Sequence, residues 1–299
     1  MRFPYVTLDV FTDRRFGGNQ LAVLPDARGL TAEQMQVIAR EFNFAESTFV
    51  LPPADQQNDA HVRIFTPGRE VPFAGHPNIG TAYALAMIGQ VQGKRVGDVL
   101  RFEEHAGLVK MAINRDGAGY PQSTELTAPA PLAVGKPMPV AHVCAAAGLP
   151  PDTIVEARHT AQTVSVGLPF TIVELTSLDA LAAVKPDLAA FDRHFAGEEG
   201  DALYLYVRTG DACVQARMFA PLHGVIEDPA TGSAAAALTG YLAHIEATDA
   251  GTFPLTIAQG LEMGRPSVIH GVAEKSKGIV QVVRVGGPSV AVMEGFLTV

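Results

Sequence analysis

Two segments half a chain apart read alike. Residues 63–82 are RIFTPGREVPFAGHPNIGTA, and residues 217–234 are RMFAPLHGVIEDPATGSA. Arg63-Ile64-Phe65-Thr66-Pro67 matches Arg217-Met218-Phe219-Ala220-Pro221, an offset of 154 (63 to 217). His76-Pro77-Asn78-Ile79-Gly80-Thr81-Ala82 then matches Asp228-Pro229-Ala230-Thr231-Gly232-Ser233-Ala234, an offset of 152 (76 to 228). In a chain of 299 residues both offsets are close to half the length. Solenoids need three or more shorter units, so two long copies point to paired, pseudo-symmetric domains. Two Arg-x-Phe-x-Pro strings matching by chance is the competing explanation, which two blocks in the same order weaken.

Each copy carries the same local physics. An arginine-led strand ends at a proline, a short loop follows, and a helix is expected to open at Pro77 or Pro229, since proline suits the first helical position. His76 and Asp228 would then be the N-caps, Asp a good one and His an unusual one. Downstream, residues 78–88 and 230–242 contain no Asp, Glu, Lys or Arg. A helix without a solvated face is buried, and both segments are too short to cross a bilayer. Each half is therefore expected to wrap sheet around a central helix.

The remaining elements fit an α+β reading. Residues 6–11 and 21–24 look like a strand and its hairpin partner. Thr31-Ala32-Glu33-Gln34 is a capping box opening a helix to about Phe42, and Thr48-Phe49-Val50-Leu51 follows as a strand. Residues 170–175 and 203–207 are further strands, and Thr176-Ser177-Leu178-Asp179 leads a short helix. Five prolines within residues 121–140 suggest an extended inter-domain linker. Residues 280–299 alternate like strands, one of which would join the first half. The expected fold class is thus two pseudo-symmetric domains, each a curved mixed sheet around a central apolar helix. The domains are placed at residues 1–125, completed by a strand at 285–299, and at residues 126–284.

Composition narrows the partners. With 22 Lys+Arg against 31 Asp+Glu the net charge is −9, and no basic run offers a footprint for nucleic acid or an anionic membrane. The chain is 47% hydrophobic and 18% charged, which excludes wholesale disorder. Its two cysteines, Cys144 and Cys213, form neither a disulfide framework nor a thiolate metal site. No apolar run reaches bilayer length and the N-terminus lacks a secretion signal, so a cytoplasmic protein is expected.

Helix N-termini present unpaired N–H groups and partial positive charge, which suits a carboxylate. If pseudo-symmetry brings the two starts together, Gly75-His76 and Asp228 to Ser233 would line one cleft, with Gly80 and Gly232 permitting close backbone approach. From spacing alone, two ordinary helix caps at opposite ends of the molecule remain the plainer reading. Glu46 lies in Phe44-Ala45-Glu46-Ser47-Thr48-Phe49, between a helix and a strand. A carboxylate partly withdrawn from water suits proton transfer near neutral pH, although the residues alone equally fit a surface glutamate. Dinucleotide, P-loop and nucleophile-elbow motifs are absent, and the remaining histidines show no ligand spacing.

At four places in order the chain resembles the phenazine-biosynthesis PhzF-like isomerases, which share the diaminopimelate epimerase fold. These are Asp9-Val10-Phe11 with Gly18-Asn19 and Ala22-Val23; Ala45-Glu46-Ser47-Thr48-Phe49; Phe73-Ala74-Gly75-His76-Pro77; and Glu227-Asp228-Pro229-Ala230-Thr231-Gly232-Ser233-Ala234. The resemblance spans nearly the full length. Gln20-Leu21 departs from it, because proline followed by an apolar residue is more usual there; this bears on loop shape. The resemblance implies catalysis by Glu46, His76 and Asp228, with Glu46 transferring the proton. It implies that Asn19, Gly75, Gly232 and Ser233 bind substrate. It implies no metal or cofactor, a small carboxylate substrate and a homodimer. Epimerase relatives use a cysteine at each central-helix start; here those neighbourhoods hold Gly75-His76 and Thr231-Gly232, so a two-thiol mechanism is not expected. Two alternatives stay open: a non-thiol epimerase or racemase of an amino-acid derivative, and an inactive binding protein of the same fold.

Overall fold

The computed structural model describes residues 1–299, which fall into two compact units, Met1–Thr127 with Gly286–Val299, and Ala128–Val285. The first unit begins with β1 (Arg2–Val10), β2 (Asn19–Leu24), α1 (Ala32–Phe42), β3 (Glu46–Leu51), β4 (Ala60–Phe65) and β5 (Glu70–Val71). It continues with α2 (Gly75–Ile88), a small hairpin of β6 (Gln90–Val91) and β7 (Lys94–Arg95), then β8 (Val99–Glu104), β9 (Gly107–Arg115) and β10 (Pro121–Thr127). The second unit holds β11 (Ala133–Pro137), α3 (Val140–Ala147), β12 (Gln162–Ser165), β13 (Pro169–Glu174), α4 (Leu178–Ala183) and α5 (Leu188–His194). After these come β14 (Leu203–Gly210), β15 (Cys213–Ala220), β16 (Val225–Asp228), α6 (Gly232–Ile245), β17 (Gly251–Gln259), β18 (Ser267–Ser276) and β19 (Ile279–Gly287). The chain ends in β20 (Ser289–Thr298), which runs antiparallel to β1 in the first unit.

The two units share one strand pattern. In the first, β1 pairs antiparallel with β2, β2 parallel with β3, β3 antiparallel with β4, β4 parallel with β8, and β8 antiparallel with β9. In the second, the same senses link β12 to β13, β13 to β14, β14 to β15, β15 to β17 and β17 to β18. The short strands β5 and β16 each run antiparallel along the edge of β4 or β15. Each sheet curls around a helix of 14 residues, α2 or α6, almost all of it buried up to its last turn. Close packing depends on small residues: a side chain at Gly80 would collide with Leu21 and Val10, and one at Gly271 with Thr239 of α6. Smaller helices cover the outer faces, α1 over Leu24, Phe49 and Phe65, and α3 to α5 over Leu203, Leu205 and Phe219. The Thr31 capping box forms as expected, Gln34 N donating to Thr31 Oγ1 and Thr31 N to Gln34 Oε1.

Several sequence expectations are corrected. The helices open at Gly75 and Gly232 rather than at Pro77 and Pro229, and their N-caps are Ala74 and Thr231 rather than His76 and Asp228. His76 sits inside the first turn of α2, while Asp228 ends β16 and Pro229 lies in the connecting loop. The register of the repeat changes accordingly. Arg63 makes a bidentate pair with Glu70, and Arg217 makes the same pair with Glu227. From Glu70 and Glu227 to the two helix starts the offset is 157, so Pro72 answers to Pro229 and Gly75 to Gly232. The second copy lengthens by three residues around the helical turn Pro221–His223, which shifts its register after the strand. Nor do residues 121–140 form an extended linker. Pro121–Thr127 is a strand paired with β9, and Ala133–Pro137 is a strand paired with β12.

Candidate active site

In the first unit three elements converge on one cluster. Asn43 closes α1 in the left-handed conformation (φ 53°), its N–H bonded to Ala39 O, and the chain reverses so that β3 begins at Glu46. Asn is one of the few non-glycine residues that adopts this geometry readily. The parallel register places Glu46 beside Leu21 of β2, two residues beyond Asn19. The loop leading to Asn19 is tied down by Asp9 Oδ2, which accepts from Phe16 N at 2.6 Å. Gly18 (φ +61°) packs so tightly against Val10 that no side chain fits there.

His76 completes the cluster from the first turn of α2. Its Nδ1 lies 3.3 Å from Asn19 Nδ2, and its Nε2 lies 3.5 Å from Glu46 Oε2. Desolvation drives the imidazole pKa from 6.5 down to about 3, so the ring is neutral across the physiological range. Nδ1 faces the Asn19 amide and the backbone of Gln20, and Nε2 is the ring atom nearest Glu46. Nε2 is buried and makes no hydrogen bond within the protein. Glu46 keeps a side-chain exposure of 19%, against 6% for His76. A largely buried carboxylate therefore stands beside a buried, neutral imidazole.

In the second unit Asp228 closes β16 and accepts from Thr231 Oγ1 at 2.5 Å. Gly232, buried, opens α6, and Ser233 follows it, half-buried in the first turn. The first unit thus brings Glu46, His76 and Asn19 together above Gly75, and the second gathers Asp228, Gly232 and Ser233. No group of three or more His, Cys, Asp or Glu is arranged to hold a metal ion, and no helix is long and apolar enough to cross a membrane. Cys144 is buried in α3 and Cys213 is exposed at the start of β15, so neither helix start carries a thiol.

The family model of the phenazine biosynthesis-like proteins, PhzC–PhzF, matches residues 8–295. The chain belongs to this family. Among its relatives is the trans-2,3-dihydro-3-hydroxyanthranilate isomerase of Pseudomonas aeruginosa, 39% identical over 293 residues, covering 97% of this chain and 98% of the relative. An uncharacterized isomerase of Mesorhizobium japonicum is 38% identical over 301 residues and covers 98% of both chains. The crystal structure of a PhzF-family phenazine biosynthesis protein from Bacillus anthracis superposes with a TM-score of 0.88 over 100% of both chains at 24% identity, a likeness of fold. This PhzC–PhzF protein is accordingly an isomerase, and its architecture is the pseudo-symmetric one of the family.

Two buried polar residues at these helix starts escape the sequence reading of the PhzC–PhzF chain. Glu104 ends β8 with its carboxyl against the Asn78 amide of α2, and burial raises its pKa from 4.5 to about 8. Gln259 ends β17, fully buried, and bonds to Thr231 and to the Asp228 carbonyl. Strand alternation carries the signal for both. Leu100, Phe102 and Glu104 share one face, as do Leu255, Ile257 and Gln259, so each polar residue continues a buried apolar stripe.

Proposed function

We propose that this isomerase moves a proton within a small unsaturated carboxylate, with Glu46 taking and returning the proton. The observation that carries this reading is the unbonded, buried Nε2 of a neutral His76 at 3.5 Å from Glu46 Oε2. A carboxylate is a competent base toward a C–H made acidic by conjugation, and a neutral imidazole held beside it does not cancel its charge. Glu46 removes the proton from one carbon, the electron pair spreads through the conjugated system, and the proton returns to another carbon. Substrate and product then have the same oxidation state, so no electron acceptor enters the balance. The helix starts at Gly75 and Gly232, with Ser233, suit the substrate carboxylate through their N–H groups and hydroxyl. In this reading Asp228 orients polar groups of the substrate and assists proton movement.

The test is turnover of a panel of cyclic and acyclic unsaturated carboxylates, followed by proton NMR in H2O and D2O. Trans-2,3-dihydro-3-hydroxyanthranilate, the compound named for the Pseudomonas aeruginosa relative, heads the panel. The expected result is isomerisation of at least one member and a loss of at least about 100-fold in kcat for Glu46→Gln, within the range for removal of a general base. Full activity in that variant overturns the assignment. Racemisation of amino-acid derivatives, with no isomerisation, would support the epimerase alternative instead.

A further inference from the structure

We propose that Gln259, backed by Tyr204 and acting through Thr231, is the positioning residue that fixes the Asp228 carboxylate at the start of α6. This rests on the reading of Asp228 as a site residue. The Gln259 amide is fully buried and four hydrogen bonds define its orientation. Oε1 accepts from Tyr204 Oη at 3.1 Å and from Thr231 N at 3.3 Å. Nε2 donates to the Asp228 carbonyl at 2.8 Å and to Thr231 Oγ1 at 3.0 Å. An amide nitrogen only donates, so Thr231 Oγ1 is its acceptor, and the one hydroxyl proton of Thr231 is directed to Asp228 Oδ2 at 2.5 Å. The chain Gln259 to Thr231 to Asp228 therefore runs in one sense, and neighbouring members polarise one another.

The backbone reinforces this support. Thr231 is the N-cap of α6, yet its side chain makes no bond to the first helical turn and serves Asp228 instead. Gly260, at φ +76°, lies so close to the Pro229 carbonyl that a side chain there would strike it. The Gln259-Gly260 turn is thus seated directly under the Asp228-Pro229 peptide. Both the main chain and the carboxylate of Asp228 are held from below by one strand end. Gln259 touches no reacting atom in this scheme and acts only by where it holds Asp228.

The test uses the full chain with Gln259→Leu, Thr231→Val, Thr231→Ser and Tyr204→Phe. The first readout needs no substrate: hydrogen exchange at the Thr231 amide, which donates to Gln259. Gln259→Leu is expected to accelerate it at least about 10-fold beyond any global change, and Tyr204→Phe by a smaller factor. The second is steady-state kinetics on whichever panel compound the unsubstituted chain turns over. Thr231→Val is expected to lower kcat about 10- to 100-fold with KM within about threefold, the size of effect that a misplaced group produces. Thr231→Ser is expected to restore kcat to within about threefold. A lowered melting temperature with unchanged kcat in Thr231→Val overturns the proposal, as does unchanged exchange in Gln259→Leu. If the unsubstituted chain turns over nothing, the proposed function fails while the exchange readout still decides whether Gln259 holds the loop. Should Gln259→Leu not fold, the Thr231 pair decides alone.

Discussion

At the start of α2 the buried polar groups are neutral: His76 has a pKa near 3, and Glu104 keeps its proton up to about pH 8. At the start of α6 Asp228 is gripped by a directional hydrogen-bond chain from Gln259 through Thr231. The strand registers show that these are counterpart positions of one design. Phe102 stands beside Ala60, and Ile257 beside Val214, its counterpart at an offset of 154 (60 to 214); Glu104 and Gln259, each two residues on, are therefore equivalent. Ser47 opposes Phe65 as Leu203 opposes Phe219, which makes Ala202 the counterpart of Glu46. Val71 opposes Ile64 as Asp228 opposes Met218, so Asp228 answers to an apolar residue. Duplicated scaffolds can keep their packing while each half specialises, and here neither candidate carboxylate has a carboxylate as its counterpart.

The largest expected effect follows from that asymmetry. Glu46→Gln should lower kcat about 10²- to 10⁴-fold, the usual span for a lost general base. Adding Ala202→Glu to that variant should recover none of the loss, because the counterpart strand lacks a His76 beside it. Recovery of activity in the double variant, measured on the same substrate, would show the two halves to be functionally interchangeable. The pH profile sharpens the comparison further. Since His76 is neutral above about pH 3, kcat should show no limb near pH 6.5, and His76→Asn should change its height without removing a limb there.

How far the sequence reading reached is explained by the same residues. The repeat is legible because Arg63-x-Phe65-x-Pro67 and Arg217-x-Phe219-x-Pro221 begin within strands that occupy equivalent places in the two units. The burial of α2 and α6 was legible because a helix without charged residues has no solvated face. The helix starts were misread because proline is a permissive marker. Pro77 tolerates the interior of the first turn, whose N–H groups lack helical partners anyway, while Pro229 serves the loop. The cluster of Asn19, Glu46 and His76 needs pairings between strands and a helix distant in sequence, which no local pattern encodes. Glu104 and Gln259 went unnoticed because a polar residue at a strand end reads as the beginning of solvent.

Glu104→Gln tests the comparison from the side of stability, since it gives the first unit the residue already present at the equivalent place in the second. Both Glu104 carboxyl oxygens are buried with no hydrogen bond of ordinary geometry, and burial outweighs the Asn78 amide beside them, so the acid keeps its proton. The folded pKa of about 8 exceeds the value of 4.5 for the free side chain. Between those two values the unfolded chain ionises while the folded one does not. The unsubstituted protein therefore loses stability relative to the variant as pH rises through this window. The gap should be near zero at pH 4.5 and grow to about 4 kcal/mol by pH 8, at about 1.4 kcal/mol per pKa unit. Urea unfolding at a series of pH values reads it directly. A gap that does not change with pH would mean that Glu104 is not held as the acid.

The smallest difference concerns the paired arginines, where equal motifs carry unequal duties. Arg63 and Arg217 each make a bidentate pair with a glutamate and lie over a phenylalanine ring, at 5.2 Å and 4.9 Å from its centroid. Arg217 does more. Its Nη1 also donates to the Leu181 carbonyl at 2.8 Å and the Val184 carbonyl at 3.2 Å, so it closes the C-terminal end of α4. Its side-chain exposure is 7%, against 18% for Arg63. Replacing a buried arginine strands both its carboxylate partner and these carbonyls, whereas Glu70 keeps His105 Nε2 at 3.3 Å as a second neighbour. Arg217→Met should therefore destabilise by about 3 kcal/mol and Arg63→Met by about 1 kcal/mol, in line with buried and partly exposed ion pairs. Parallel urea titrations decide it. Equal losses would mean that the strand pairing, which is common to both units, and not the α4 contacts, sets the energetic role of these arginines.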